Sequence, residues 1–185
     1  MQPDFPQNFK IPVTNFKNKN PYYLVSINSI DASNTIIEAI ANICNESLIY
    51  DWLFKENLKG QPYLPKKAIE FLNWGSNGWL KNEYFVFLLL DSEGSPVGAM
   101  DIKSADLAAG EVGYWCSSKH SGLTSNALKC LCQLAGTAGF KTVFAQTKAG
   151  NERSEKVLTR CGFQLNQDYL DLSSGCTSAF ALDLN

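Results

Sequence analysis

Glu111 opens a strand-like segment, Glu111-Val-Gly-Tyr-Trp-Cys116, that runs straight into the polar turn Ser117-Ser-Lys-His-Ser-Gly122. A turn that feeds a helix presents unpaired backbone N–H groups and a partial positive charge, so it can hold a phosphate. Gly122 lets a ligand approach the backbone closely, and the hydroxyls of Ser117, Ser121 and Thr124 are further donors. An ordinary strand-to-helix turn is the plain alternative. No Gly-Lys-Ser/Thr is present, so the turn is not a Walker-type nucleotide loop. Further along, Asn151 stands three residues before Ser154, a spacing that suits a capped short helix. Glu111 and Asp101 lie on successive predicted strands. Either carboxylate can take a proton if its surroundings raise its pKa, and solvated charge is the plain reading of both. Cys116 and His120 lack a third orienting group and read as a buried thiol and a turn residue, not as a nucleophile and its base.

These side chains need strands and helices to bring them together. Tyr22 to Ile27 reads as a first strand, after an N-terminal arm over residues 1–20 that is rich in Pro, Asn and Lys. Ile36, Ile40 and Ile43 recur at helical spacing beside Ile37, which predicts a helix from Asn34 to Cys44. Residues 48–63 carry no assignable pattern. Pro65 can start a helix through Trp74, which Gly75-Ser-Asn-Gly78 then interrupts. Strands follow at Tyr84 to Leu90, Val97 to Lys103 and Glu111 to Cys116, separated by turn residues. Leu123, Ala127, Leu131, Leu134 and Ala138 share one face of a helix that ends at Gly139, and Thr142 to Thr147 is the next strand. A short helix from Asn151 to Cys161 and late strands near 164–172 and 176–184 complete the order. Strands joined partly by hairpins and partly by helices mean a mixed sheet in one α/β domain over residues 1–185.

Composition narrows the function classes. A chain of 185 residues is large enough to bury a core without staples. Its formal charge of −2 and its lack of a dense basic run give no electrostatic reason to bind nucleic acid or an anionic membrane. The longest apolar run, Tyr84 to Leu90, is too short to span a bilayer. The N-terminus has neither a basic nor an apolar leader region, so no secretory signal is expected. With six cysteines, no Cys-x-x-Cys and a single histidine, reduced cytoplasmic thiols are expected and no metal site is.

Residues 111–163 resemble the GNAT superfamily of N-acetyltransferases, and within it the branch that acetylates ribosomal-protein N-termini and other small amines. The spacing Asn-x-x-Ser-x-x-Val-Leu-x-x-x-Gly-Phe, from Asn151 to Phe163, matches the family's second motif at every signature position. His120-Ser-Gly-Leu-Thr-Ser-Asn-Ala-Leu128 is similar to a His-Arg-Gly-Leu/Met-x-Thr-x-Ala-Leu variant of that branch. The turn departs from Gln/Arg-x-x-Gly-x-Gly/Ala, with Ser117 at the first position and His120 at the first glycine.

The resemblance implies an α/β fold with a central mixed, mostly antiparallel sheet of about seven strands, in which strands 111–116 and 142–147 splay apart. It implies acetyl-CoA as cosubstrate, its pantetheine arm beside Trp115, Cys116 and Ser117. Its pyrophosphate would lie on the turn made by His120, Ser121, Gly122, Leu123 and Thr124, with Asn151 against the arm and Ser154 near the sulfur. Acetyl would pass directly to a primary amine of a protein N-terminus or a small molecule, with Glu111 as base and Asp101 as second candidate. The family's thiolate-protonating tyrosine is replaced by Leu158, which leaves Ser154 as the nearest hydroxyl. A non-catalytic CoA-binding module and a structural domain without CoA are the rival readings.

Overall fold

The computed structural model describes residues 2–6 and 9–184, so residues 1, 7 and 8 of the expected arm lie outside it. Eight strands form one open sheet: β1 (Lys10–Thr14), β2 (Pro21–Ser26), β3 (Phe85–Leu90), β4 (Pro96–Ile102), β5 (Gly110–Cys116), β6 (Thr142–Thr147), β7 (Gln164–Leu165) and β8 (Ser178–Asp183). Their spatial order is β1-β2-β3-β4-β5-β6-β8-β7, and all neighbours are antiparallel except β5 and β6. Five α-helices accompany them among the described residues: α1 (Asn34–Cys44), α2 (Ser47–Leu53), α3 (Pro65–Lys81), α4 (Thr124–Thr137) and α5 (Glu152–Arg160).

Strand alternation divides the core into two layers. Phe85, Phe87, Met100, Ile102, Val112 and Val143 face Leu123, Ala127, Leu128 and Leu131 of the α4 side, with Leu158 of α5. Val86, Leu88 and Ala99 point the other way, against Ile37 and Ile40 of α1 and Leu72 of α3. β3 is buried along its whole length because both faces are covered, which is why it reads as a continuous apolar run.

Several elements differ from the sequence reading. The helix expected to stop at Trp74 continues to Lys81, with Gly75 and Gly78 inside it. A Cβ on Gly75 would lie 2.8 Å from Ile27 Cγ2, and one on Gly78 would run into the Tyr84 ring. These glycines permit close helix-to-sheet packing, and that packing offsets their roughly 1 kcal/mol helix penalty. Part of the expected arm is strand β1, which adds the eighth strand. The unassigned segment supplies α2. The late strand near 164–172 shrinks to two residues, followed by 3₁₀ turns at Gln167–Tyr169 and Leu172–Ser174.

Candidate active site

β5 and β6 pair only at Gly110↔Val143 and Glu111↔Phe144, after which they part. From Val112 onward β5 therefore has free backbone edge toward β6. A cleft of about 140 Å³ opens there, lined by Tyr114, Trp115 and Cys116 of β5, Thr124 of α4, Asn151, Ser154 and Val157 near α5, and Leu48, Ile49, Trp52 and Leu53 of α2.

The two faces of β5 give this opening different chemistry. Tyr114 and Cys116 pack on the α4/α5 layer, and Trp115 packs with the α1/α3 layer. On the α5 side, Asn151 caps α5 by accepting the Ser154 N–H at 3.3 Å. That fixes Ser154, whose Oγ lies 2.7 Å from the Tyr114 hydroxyl, with the Ser154 carbonyl 3.2 Å from the same group. Burial pushes the Tyr114 pKa well above its usual value, opposed by the Ser154 hydrogen bond, so the phenol stays a donor. The second hydroxyl that the sequence reading lacked thus comes from β5, across the layer. Leu158 is fully buried core.

On the other face, Asp101 pairs with Gly113, and a Cβ on Gly113 would sit 2.8 Å from Asp101 Oδ1. The carboxylate therefore lies over Gly113, just past the point where β5 leaves β6. Its Oδ1 is buried and has no hydrogen-bond partner among the described residues. Burial pushes the Asp101 pKa up to about 6; Lys103 and the Gly113 amide oppose the rise, and Glu111 adds to it. Glu111 is differently placed. Its Oε1 accepts from Lys103 Nζ at 2.6 Å; like Asp101, it is not among the residues that line the cleft. Glu111 is thus engaged by a lysine, whereas Asp101 Oδ1 has no partner among the described residues.

At the far end of β5, the turn is held from two directions. Ser117 Oγ–H donates to Glu46 Oε1 at 2.6 Å, and the N–H and hydroxyl of Ser118 both donate to Glu46 Oε2 at 2.8 Å. Burial works to raise the Glu46 pKa, but these hydrogen bonds outweigh it and hold the carboxyl below its usual range. Glu46 is also the N-cap position of α2, so it ties the cleft wall to the turn. Ser117 and Ser118 are consequently engaged by protein. The N–H groups of Ser121, Gly122, Thr124, Ser125 and Asn126 donate to no protein acceptor among the described residues. The phosphate-sized cradle thus begins later in the turn than the sequence suggested.

Three expected cofactor contacts sit differently from the expectation. His120 stands in a separate crevice with Tyr22, Asp91 and Glu93, its Nδ1 2.9 Å from the Tyr22 hydroxyl. Burial lowers its pKa against the pull of Asp91 and Glu46. Leu123 is fully buried in the core, so only its backbone borders the turn. Gly122, at φ +100, turns its open side not to a ligand but to Asn15 and Lys17 of the β1–β2 connection. Trp115, Cys116, Thr124, Asn151 and Ser154 do line one cleft. Burial pushes the Cys116 thiol up to about 11, opposed by Thr124, which removes it as a nucleophile near neutrality. Sequence reasoning did not single out Tyr114, which lies on β5 itself but meets α5 across 40 positions, or Glu46, which comes from a distant part of the chain.

No helix is long and apolar enough to cross a membrane, and no group of three or more His, Cys, Asp or Glu is placed to hold a metal among the described residues. No curated protein matches the sequence. Among solved structures, the chain is similar to Mycobacterium smegmatis RimJ in complex with CoA-disulfide (TM-score 0.73, 16% identity, 99% of this chain and 90% of that one). It is also similar to the ribosomal-protein-S5-alanine acetyltransferase of Vibrio fischeri (TM-score 0.69, 19% identity, 96% and 98%). A third likeness is to the spermidine N-acetyltransferase of Vibrio cholerae in complex with CoA and spermine (TM-score 0.65, 13% identity, 88% and 95%). Residues 32–164 match the family described as the acetyltransferase (GNAT) domain, and the chain belongs to that family.

Proposed function

We propose that this protein is an acetyl-CoA-dependent N-acetyltransferase that passes the acetyl group directly to a primary amine of a protein N-terminus or small molecule. One observation carries the reading: where β5 parts from β6, a paired hydroxyl donor lies on one face and, on the other, a carboxylate whose Oδ1 is buried without a partner. Acyl transfer from a thioester to an amine needs a proton removed from the amine and the departing thiolate stabilised, and the two faces divide that work.

Acetyl-CoA supplies the activated acetyl group as a thioester. The free N–H groups at Ser121, Gly122 and the start of α4 suit its pyrophosphate, and Thr124, Cys116 and Asn151 line the path of its arm. Ser154 faces the sulfur. Its hydroxyl need not surrender a proton outright, because a CoA thiolate of pKa about 8.5 survives unprotonated. Tyr114 orients that hydroxyl and strengthens its donation. On the opposite face Asp101 takes the amine proton, directly or through one water, and Glu111 holds Lys103 in place. The α2 residues Leu48, Trp52 and Leu53 give the same cleft an apolar wall.

Tyr114→Phe and Ser154→Ala should each lower kcat about tenfold with CoA affinity unchanged. The double variant should lose little more than either alone, because the hydroxyls act as a unit. Fully additive losses would separate the two groups.

The overall reading is tested by incubating the protein with acetyl-CoA and a panel of peptides and small amines, following free thiol and product mass. Thiol release that depends on an amine, with a mass gain of one acetyl group on that amine, is expected. CoA-induced thermal stabilisation of a few degrees without turnover on any amine would instead favour the binding-module reading. No stabilisation by millimolar acetyl-CoA or CoA would remove both.

A further inference from the structure

We propose that the N-terminal hairpin is part of the cofactor site and that Lys17, on its tip, is a ligand of the CoA pyrophosphate. The inference rests on the cofactor reading above and assigns a residue more than a hundred positions from the turn. The connection between β1 and β2 is docked on the turn by four polar contacts. Asn15 Nδ2 donates to the Ser121 carbonyl at 3.3 Å, the Phe16 N–H to the Gly122 carbonyl at 3.2 Å and Asn126 Nδ2 to the Thr14 carbonyl at 2.7 Å. Lys17 Nζ donates to Ser121 Oγ at 2.6 Å.

The docking is built rather than incidental. Asn15 has no exposed surface, and its Oδ1 accepts the Lys17 N–H at 2.9 Å, which fixes the backbone of the lysine. Gly122 adopts φ +100 and leaves space that a Cβ would fill, 2.5 Å from Asn15 Oδ1 and 2.8 Å from Lys17 Cγ. The hairpin therefore approaches the turn as closely as a missing side chain allows. At its tip the exposed Lys17 pairs with no carboxylate among the described residues.

An ammonium with one neutral partner keeps two N–H donors available. It sits on Ser121, beside the backbone N–H groups of Ser121, Gly122 and the start of α4 that donate to no protein acceptor among the described residues. A cation at a turn whose successive amides lack protein acceptors fits a doubly charged, oxygen-rich group, which on CoA is the pyrophosphate. The departures of this turn from the family's pattern at Ser117 and His120 are then offset by a charge from the hairpin.

Calorimetric titration of wild type and Lys17→Gln with CoA, dephospho-CoA and pantetheine tests the assignment, with circular dichroism melting to check that the exposed substitution leaves the fold intact. Affinity for CoA and for dephospho-CoA should fall by the same factor, about tenfold, while pantetheine is unaffected and Lys17→Arg restores most of the loss. The dependence of log affinity on log salt should also become shallower in Lys17→Gln. Equal CoA affinity in wild type and Lys17→Gln overturns the proposal, and a loss for CoA but not dephospho-CoA overturns the pyrophosphate assignment in favour of the 3′-phosphate. Wild type that binds none of the three overturns the cofactor reading itself, and the proposal with it.

Discussion

Asp101→Asn should produce a protein that is more stable and nearly inactive. Loss of the base is expected to lower kcat/KM about 10²-fold, with CoA affinity intact. Wild-type kcat should rise as pH passes about 6, where Asp101 gives up its proton, and the variant should lack that limb. The stability change has the opposite sign to the activity change. Because the folded pKa lies above the unfolded value of about 3.9, the charged form is disfavoured by folding; the penalty grows as pH rises from about 4 and is complete above about 6. At pH 8 the neutral amide should therefore stabilise the fold by roughly 1–3 kcal/mol, and the advantage should vanish below pH 4. A buried oxygen kept without a partner against that penalty is what supports a functional role for Asp101. Glu111→Gln, which only frees Lys103, should lower kcat/KM far less. Equal activity in Asp101→Asn and wild type would transfer the proton to Glu111 or to water alone.

Gly122→Val should be among the most destabilising single changes in the molecule. A β-branched residue is strained at φ +100, and its Cβ would press on Asn15 Oδ1 and Lys17 Cγ. Displacing the hairpin would also leave Asn15, buried and hydrogen-bonded to the turn, without its partners. A loss of roughly 3–5 kcal/mol follows, read as a melting temperature lower by about 10 °C in the absence of ligand. Gly122→Ala should lie between the two. If the glycine served only to admit phosphate, the unliganded variant would melt like wild type and only cofactor affinity would fall. Unchanged melting would thus contradict the packing account of Gly122.

Most of the scaffold was legible because periodicity and turn chemistry are local. The helices at Asn34–Cys44 and Thr124–Thr137 and the strands from Phe85 to Cys116 fall where apolar spacing and Gly/Asp turns put them. The failures share a cause: the deciding partner is remote. Gly75 and Gly78 look like helix breakers until Ile27 and Tyr84 are seen packed against them. Lys10–Thr14 is unremarkable as a segment and becomes a strand only because β2 offers an edge. In the site, the Asn151 cap beside Ser154 was readable from a three-residue spacing, whereas Trp115, Cys116 and Thr124 were named only through the family resemblance; all five line one cleft. Nothing local says that the Tyr114 hydroxyl reaches Ser154 across 40 positions. The proposal of Asp101 over Glu111 rests on the buried Oδ1 and on Lys103, neither of which a sequence displays. Glu46 was invisible for the same reason, being 71 and 72 positions from the serines it holds.

The central claim is that CoA lies in the gap where β5 leaves β6, with its pyrophosphate on the amides that begin α4. Residue-resolved amide hydrogen exchange, with and without saturating CoA, tests it most directly. The account predicts slowed exchange at Val112 to Cys116 along the free edge of β5 and at Ser121, Gly122 and Thr124 to Asn126, with β1 and β2 slowed to a lesser degree. Protection confined to another part of the molecule, in a protein that demonstrably binds CoA, would contradict it.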